Sequence, residues 1–441
     1  MAVCLVTDGD ERAALAVVRS LGRAGHRVIV AAHGPRSLAG VSRYAAARIQ
    51  AADPLHAPDD FAASIERAVV EHAVDVLIPI TDAALLAVLP LRDRLLPCRI
   101  PFPDLARVRA VGDKAQVLEA ARTLDISVPE QRVMTSANQA AIVTAALRYP
   151  VVIKPSRSLV DDAPGGRRKF GVVYAANAGE LAAALARIPT SAYPLLLQQR
   201  IIGPGVGVFL LLRDGEAIAA FSHRRIREKP PSGGVSVYRE SIPAEPGLVA
   251  RSRALLDQFG WTGVAMVEYK IDASTGTPYL MEINGRFWGS LQLAVDAGVD
   301  FPALLVATAL GRHPEPVVSY RTGIRSRWLL GDLDQLLTRL RRSRPKLALP
   351  HGAGGRLRAL LDFLVLWQPG DRTEVLRWRD PAPFVHELSE WVRKTIRPTA
   401  RKPSEPGQGA IRPGGARPEQ MAPGHDRRPP VRELSEWVRE R

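Results

Sequence analysis

The segment from Gly263 to Asn284 constrains the fold more tightly than any other part of the chain. Its two apolar runs, GVAMVEYKI and PYLMEIN, flank the polar stretch Asp272–Thr277 and so predict an antiparallel hairpin. Strand side chains alternate between faces, so Glu282 and Asn284 share one face and Glu268 on the partner strand can meet them. A carboxylate set in runs this apolar needs a partner. Two carboxylates and an amide oxygen are hard ligands that suit Mg²⁺ beside polyphosphate. Arg286, two residues on, can lie on the same side and offer forked donors to a phosphoryl oxygen. A surface hairpin with scattered charge explains the apolar flanks poorly.

The first hundred residues supply a second layer of order. Ala2–Thr7, Arg27–Ala32 and Val74–Ile80 read as strands, and Arg12–Ala24 and Phe61–His72 as helices. That alternation predicts a parallel sheet with helices on both faces and a ligand edge at the carboxyl ends of its strands. Thr7-Asp8-Gly9 and Pro79-Ile80-Thr81-Asp82 fall on that edge. The first turn, TDGDERAAL, lacks G-x-G-x-x-G spacing, so a dinucleotide is not expected there.

A helix, Val111–Leu124, is opened by Gly112-Asp113, with Asp113 a good N-cap and Lys114 in the first turn. A strand at Gln131–Met134, a helix over Ser136–Leu147 and an aliphatic strand, Tyr149–Lys154, follow. Lys154 is locked by Pro155, and residues 156–171 are rich in Gly, Ser, Asp and Arg, as mobile loops are. A cation before such a loop suits a nucleotide phosphate, with Arg167, Arg168 or Lys169 closing over it. A strand-end lysine reaching to solvent fits the same residues equally well. Leu195–Gln199, Val206–Leu212 and Glu216–Ser222 read as antiparallel strands, and Pro246–Phe259, Trp288–Ala297 and Ala303–Ala309 as helices.

Gly311–Pro316 marks a boundary, after which the chain reads as helical and basic to Pro398. From Thr399 to Pro430, Pro, Gly and Arg leave no apolar face, which predicts disorder. VHELSEWVR at 385–393 recurs as VRELSEWVR at 431–439, which reads as a local duplication adding a short helix. The domains expected are therefore 1–110, 111–312 and 313–398, with a tail over 399–441.

The net charge of +15 is concentrated late in the chain, with 16 Lys/Arg against 8 Asp/Glu between Arg321 and Pro398. No aromatic-interleaved basic strand or recognition helix accompanies it, so a solvated surface is favoured over nucleic acid. No apolar run approaches the roughly 20 residues a membrane span needs. Cys4 and Cys98 sit apart in apolar surroundings, as inert core thiols do. The cytoplasm is the expected location, and a homo-oligomer is left open.

The order Asp113-Lys114, VIKP at 152–155, LLQQRIIG at 196–203, MVEYK at 266–270 and MEINGRFWGS at 281–290 resembles the ATP-grasp superfamily. The spacing of 268 and 282 is similar to the metal-binding segment of carbamoyl phosphate synthetase and biotin carboxylase. SRY at 42–44, PITD at 79–82, HRRIREKPPSGGVSVYRES at 223–241, WQPGDR at 367–372 and DPAPF at 380–384 resemble a bacterial group of carboligases or carboxylate–amine ligases. The resemblance covers residues 1 to about 395.

It implies an ATP-grasp fold preceded by a Rossmann-like α/β domain, with ATP and Mg²⁺ (or Mn²⁺) as cofactors. It places Lys114 and Lys154 on ATP phosphates and Gln198, Gln199, Arg200 and Ile201 along the adenine. Glu268, Glu282 and Asn284 become metal ligands, and Arg286 with Lys154 the catalytic cations. His223, Arg224, Arg225, Ser232, Gly233 and Gly234 would line the acid-substrate side. Gln199 stands where many relatives carry an acid, and Val206 occupies the ribose-contacting distance. The implied reaction joins a small carboxylate to an amine or similar nucleophile through an acyl phosphate. A kinase on the same fold, or an ATP-binding scaffold docked through its basic segment, is the alternative.

Overall fold

A computed structural model describes residues 1–396, apart from 145–146, 163–165, 344–346, 348, 350–353 and 366–367. The disorder expected over 399–430 and the repeat at 431–439 lie outside the described residues.

Val3–Val6 (β1), Arg27–Ala32 (β2), Ala47–Gln50 (β3) and Val76–Ile78 (β4) form a parallel sheet in the order β3-β2-β1-β4. β1, β2 and β4 are runs of buried aliphatics, as strands covered on both faces must be. β3 was not legible, because an edge strand of sequence ARIQ carries no buried stripe. Cys4 and Cys98 are buried and free, and burial pushes their thiols up to about 12 and about 11, so both are inert at neutral pH.

A second sheet joins Gln131–Met134 (β5) to Val151–Pro155 (β6), and the stretch read as a loop carries a hairpin of Leu159–Asp162 (β7) and Gly166–Lys169 (β8). Val173–Ala175 (β9) and Leu195–Gln199 (β10) complete the sheet in the order β5-β10-β6-β9. It has its own small core, which includes Met134, Val151, Ile153, Leu195 and Leu197. Strand alternation sends Leu196 the other way, into the main core. Lys154 pairs directly with Leu196, so it too faces away from the small core.

The main core lies under a seven-stranded sheet. Gly205–Arg213 (β11), Glu216–Lys229 (β12) and Val235–Ile242 (β13) precede the expected hairpin, Gly263–Ile271 (β14) and Pro278–Asn284 (β15), whose bounds match the sequence reading. The order is β15-β14-β11-β12-β13-β16-β17, with β16 at Arg325–Arg327 and β17 at Asp371–Thr373. β12 runs to Lys229 rather than ending at Ser222 as expected. β16 and β17 fall in the segment read as helical. Helices do occupy Leu329–Arg341, Arg356–Leu364 and Ala382–Ile396, but three-residue strands are too short to show a period.

Buried ion pairs hold this late segment to the first helix, Arg12–Arg23. Arg19 meets Asp380 at 2.8 Å with both side chains at most 3 % exposed. Asp380 also accepts from Ser42 Oγ at 2.7 Å and the Arg43 amide at 2.9 Å, which joins the SRY and DPAPF motifs. Glu374 is shared by Arg12 at 2.5 Å and Arg239 at 2.6 Å. Among the described residues no single helix is long and apolar enough to cross a membrane.

Candidate active site

Register on the large sheet assembles the site. Glu268 stands opposite Glu282, and Met266 opposite Asn284, with an irregularity just after Glu268. Asn284 Nδ2 donates to Glu282 Oε1 at 3.2 Å. On the other side of β14, Gly207 lies opposite Glu268, and His223 of β12 lies opposite Gly207. The sheet therefore presents Glu282, Glu268 and His223 in one row across four strands, with Gly207 of β11 between Glu268 and His223. Arg225 reaches over β11 to Glu268 at 2.5 Å and also pairs with Glu228 at 2.8 Å. Gly205 leaves room for that crossing, since a Cβ there would sit 2.8 Å from Arg225 Cδ.

The small sheet and the helix Lys114–Thr123 supply the opposing cations. Lys154 Nζ donates to the Met281 carbonyl at 3.2 Å, and Lys114 Nζ lies 3.4 Å from Glu282 Oε2. Lys114 also donates to Ser158 Oγ at 2.7 Å. Asp113 caps the helix Lys114–Thr123 by accepting from the Ala115 amide at 3.1 Å, and holds Arg157 at 3.0 Å. Its other contact, to Ser156 Oγ, ties that first turn to the end of β6. One cap thus positions Lys114 and anchors the strand carrying Lys154.

These charges shift one another. Burial, reinforced by Lys114, pulls Lys154 down to about 8 against the attraction of Glu282 and Glu268. Burial opposes the charged form of Glu282, but Lys114 and Lys154 outweigh it and bring its carboxyl down to about 2. Glu268 is raised by burial, with Glu282 and Glu228 adding to the effect and Arg225 opposing it. Burial, then Arg225 and Arg239, keep His223 neutral, well below its usual range. Neither ring nitrogen of His223 has a hydrogen-bond partner.

Between the two sheets lies a cleft of about 450 Å³. Lys154, Glu268, Glu282, Asn284 and Arg286 all line it. So do Gln198, Gln199, Arg200 and Ile201 along one wall, and His223, Arg225, Ser232, Gly233 and Gly234 along another. The Gln199 backbone amide donates to the Glu130 carbonyl at 2.8 Å and that of Arg200 to the Pro150 carbonyl at 3.4 Å. Arg286 is held by Asp82 at 2.9 Å and reaches the Phe287 carbonyl, also at 2.9 Å. Asp82 of the PITD motif therefore steadies this cation rather than standing free on the strand edge.

Arg224 does not join the cleft. It is one residue out of phase with His223 and Arg225, and it pairs with Glu240 at 2.6 Å on the other face. The basic cluster HRRIREK is also less free than its charge count suggests. Arg227 meets Asp332 at 2.6 Å, and Lys229 is bonded to Asp334, both acids belonging to the helix Leu329–Arg341. Only Arg225 of the four cations lines the cleft. Arg12 and Tyr174 line it as well and were not picked out from sequence. Nothing local marks them, because Arg12 opens a helix far away in the chain and Tyr174 lies on a three-residue strand.

The donor set fits a hard cation. Glu268 and Glu282 face one another, and the burial of Glu268 beside two other carboxylates is relieved by added positive charge. Among the described residues no group of three or more His, Cys, Asp or Glu is placed to hold a metal ion, and the amide of Asn284 stands beside the two carboxylates. Asn284 turns its Oδ1 to Arg286 at 3.1 Å and its amide nitrogen to Glu282. It can complete a metal site only after that amide turns over.

Residues 191–331 match a family model described as ATP-grasp in the biosynthetic pathway with Ter operon. The fold is similar to that of N5-carboxyaminoimidazole ribonucleotide synthetase in its ADP complex, with a TM-score of 0.59, 15 % identity, and coverage of 77 % of this chain and 85 % of that one. It is also similar to L-amino acid ligase from Bacillus licheniformis, with a TM-score of 0.55, 17 % identity, and coverage of 70 % and 74 %. Biotin carboxylase from Campylobacter jejuni gives a TM-score of 0.58 at 15 % identity, covering 74 % of each chain. No curated protein matches the chain in sequence. The chain has the ATP-grasp fold.

Proposed function

We propose that the protein is an ATP-dependent ligase that activates a small carboxylate as its acyl phosphate and passes the acyl group to an amine or a similar nucleophile. The observation that carries this reading is the meeting of Glu268 and Glu282 with Lys154 and Arg286 around one cleft, with Lys114 set against Glu282 behind them. The names of the structural neighbours, two ligating enzymes and a carboxylase, support it.

Charge dictates the division of labour. Lys154 and Lys114 bind the ATP phosphates, with Lys154 protonated when the polyanion arrives. Glu268, Glu282 and, after its amide turns, Asn284 would hold Mg²⁺, which supplies neutralisation of the phosphate oxygens. A substrate carboxylate oxygen attacks the γ-phosphorus, the bond to the bridging oxygen breaks, and ADP leaves. Arg286, held by Asp82, faces the charge on the transferred group. The nucleophile's nitrogen then attacks the acyl carbon and inorganic phosphate departs, with the nitrogen's proton lost. The hairpin β7–β8 is proposed as the cover that keeps water from the acyl phosphate. His223 and Arg225, with Ser232–Gly234, are proposed to flank the acid substrate.

Hydroxylamine trapping during an ADP-release screen over pooled carboxylates and amines tests the reaction class. A hydroxamate is expected, whereas a kinase or a scaffold yields none. Glu282→Gln should abolish ADP formation with the far-ultraviolet circular dichroism unchanged. Full turnover in that variant would sink the metal assignment.

A further inference from the structure

The helix Arg356–Leu364 packs against Leu329–Arg341 through Ala359, which is 5 % exposed. Arg327 fastens its last turn by donating to the Phe363 carbonyl at 2.8 Å and the Val365 carbonyl at 3.0 Å. Among the described residues nothing covers its other face. Leu357, Leu361 and Leu364 are 71 %, 52 % and 56 % exposed, with Leu360 beside them at 36 %. Spacings of four and three residues put these leucines on one side of the helix. An anchored helix that turns three leucines to solvent leaves a large apolar cost unrelieved.

Charge along the flanking sequence selects what could cover the stripe. From Asp334 to Asp362 the chain carries seven Lys/Arg and, between those two acids, no Asp or Glu. The leucines of Arg356–Leu364 are interleaved with Arg356 and Arg358, the latter in an exposed pair with Asp362 at 2.8 Å. A second copy of this face would set one run of cations against another. An anionic surface that is apolar just beneath its charge satisfies both features. We propose that this helix docks the protein on an anionic lipid surface, leucines inserted and arginines at the headgroups. The stripe takes no part in the cleft, so the proposal stands or falls apart from the ligase reading.

The test is co-sedimentation of the full chain with vesicles of phosphatidylcholine alone or with about 30 % phosphatidylglycerol. Binding to the anionic vesicles only is expected, with release as salt rises from about 0.1 M to about 0.5 M. The triple variant Leu357→Gln, Leu361→Gln, Leu364→Gln should lower the bound fraction about tenfold, with its circular dichroism unchanged. Arg356→Gln with Arg358→Gln should weaken binding and flatten its salt dependence, which gives a second reading that leaves the apolar face untouched. Equal recovery with neutral and anionic vesicles, or wild-type binding by the triple variant, overturns the proposal. So does a dimer in sedimentation velocity that the triple variant loses while vesicles go unbound, which would assign the face to a second copy.

Discussion

Lys154 sits where burial and Lys114 make its own charge costly, and its proton is lost around pH 8 in the unliganded protein. With Lys154 on the ATP phosphates as proposed, binding favours the protonated form, so below that value it takes up little proton at this group. Above it, each complex must recruit a proton, and affinity falls by up to about tenfold per pH unit. Isothermal titration with ATP should therefore show a Kd that is flat below about pH 8 and rises beyond it. Lys154→Met should bind weakly throughout and lose that bend. A bend of wild-type size in the variant would assign the titration elsewhere. The sequence left Lys154 balanced between a phosphate ligand and a strand-end lysine. The facing of Lys154 and Leu196 across β6 and β10, away from the small core, decides for the cleft. The same alternation removes Arg224, which a run of basic residues could not separate from Arg225.

At the scale of elements, the hairpin β14–β15 was readable to the residue because two long apolar runs and a polar turn leave one register. Its exit depends on Gly285, where a Cβ would strike the Trp261 ring. Trp261 is 3 % exposed and cannot swing away without opening the core. Gly285→Ala should therefore cost about 1–3 kcal/mol, read as a lower urea midpoint with an unchanged slope. No loss of midpoint would mean that Trp261 yields freely. β3, β9, β16 and β17 escaped the sequence reading for a different reason. Each has three or four residues, so each is defined by the neighbour that pairs with it and not by a period of its own.

Across the whole molecule, the late segment and the first helix are joined through ions taken out of water. Asp380→Ala leaves Arg19 buried with carbonyl partners only, and should destabilise by roughly 3–5 kcal/mol in urea unfolding. A change within error would make that contact dispensable. Ending the chain at Pro398 should leave ADP formation unchanged, because the cleft is lined by residues from 12 to 290. A large loss of rate would give the tail a role.

The sequence by itself determined the two-carboxylate hairpin, the parallel sheet before it and the cap that carries Lys114, since each is specified by residues close together in the chain. Only the tertiary structure decided which cations share the cleft. Arg12, Arg225 and the Asp82–Arg286 pair depend on strand phase and on elements far apart in sequence. Spacing along one strand fixes a face, but the other side of a cleft belongs to a different part of the chain, and its charges meet only when both sheets have folded.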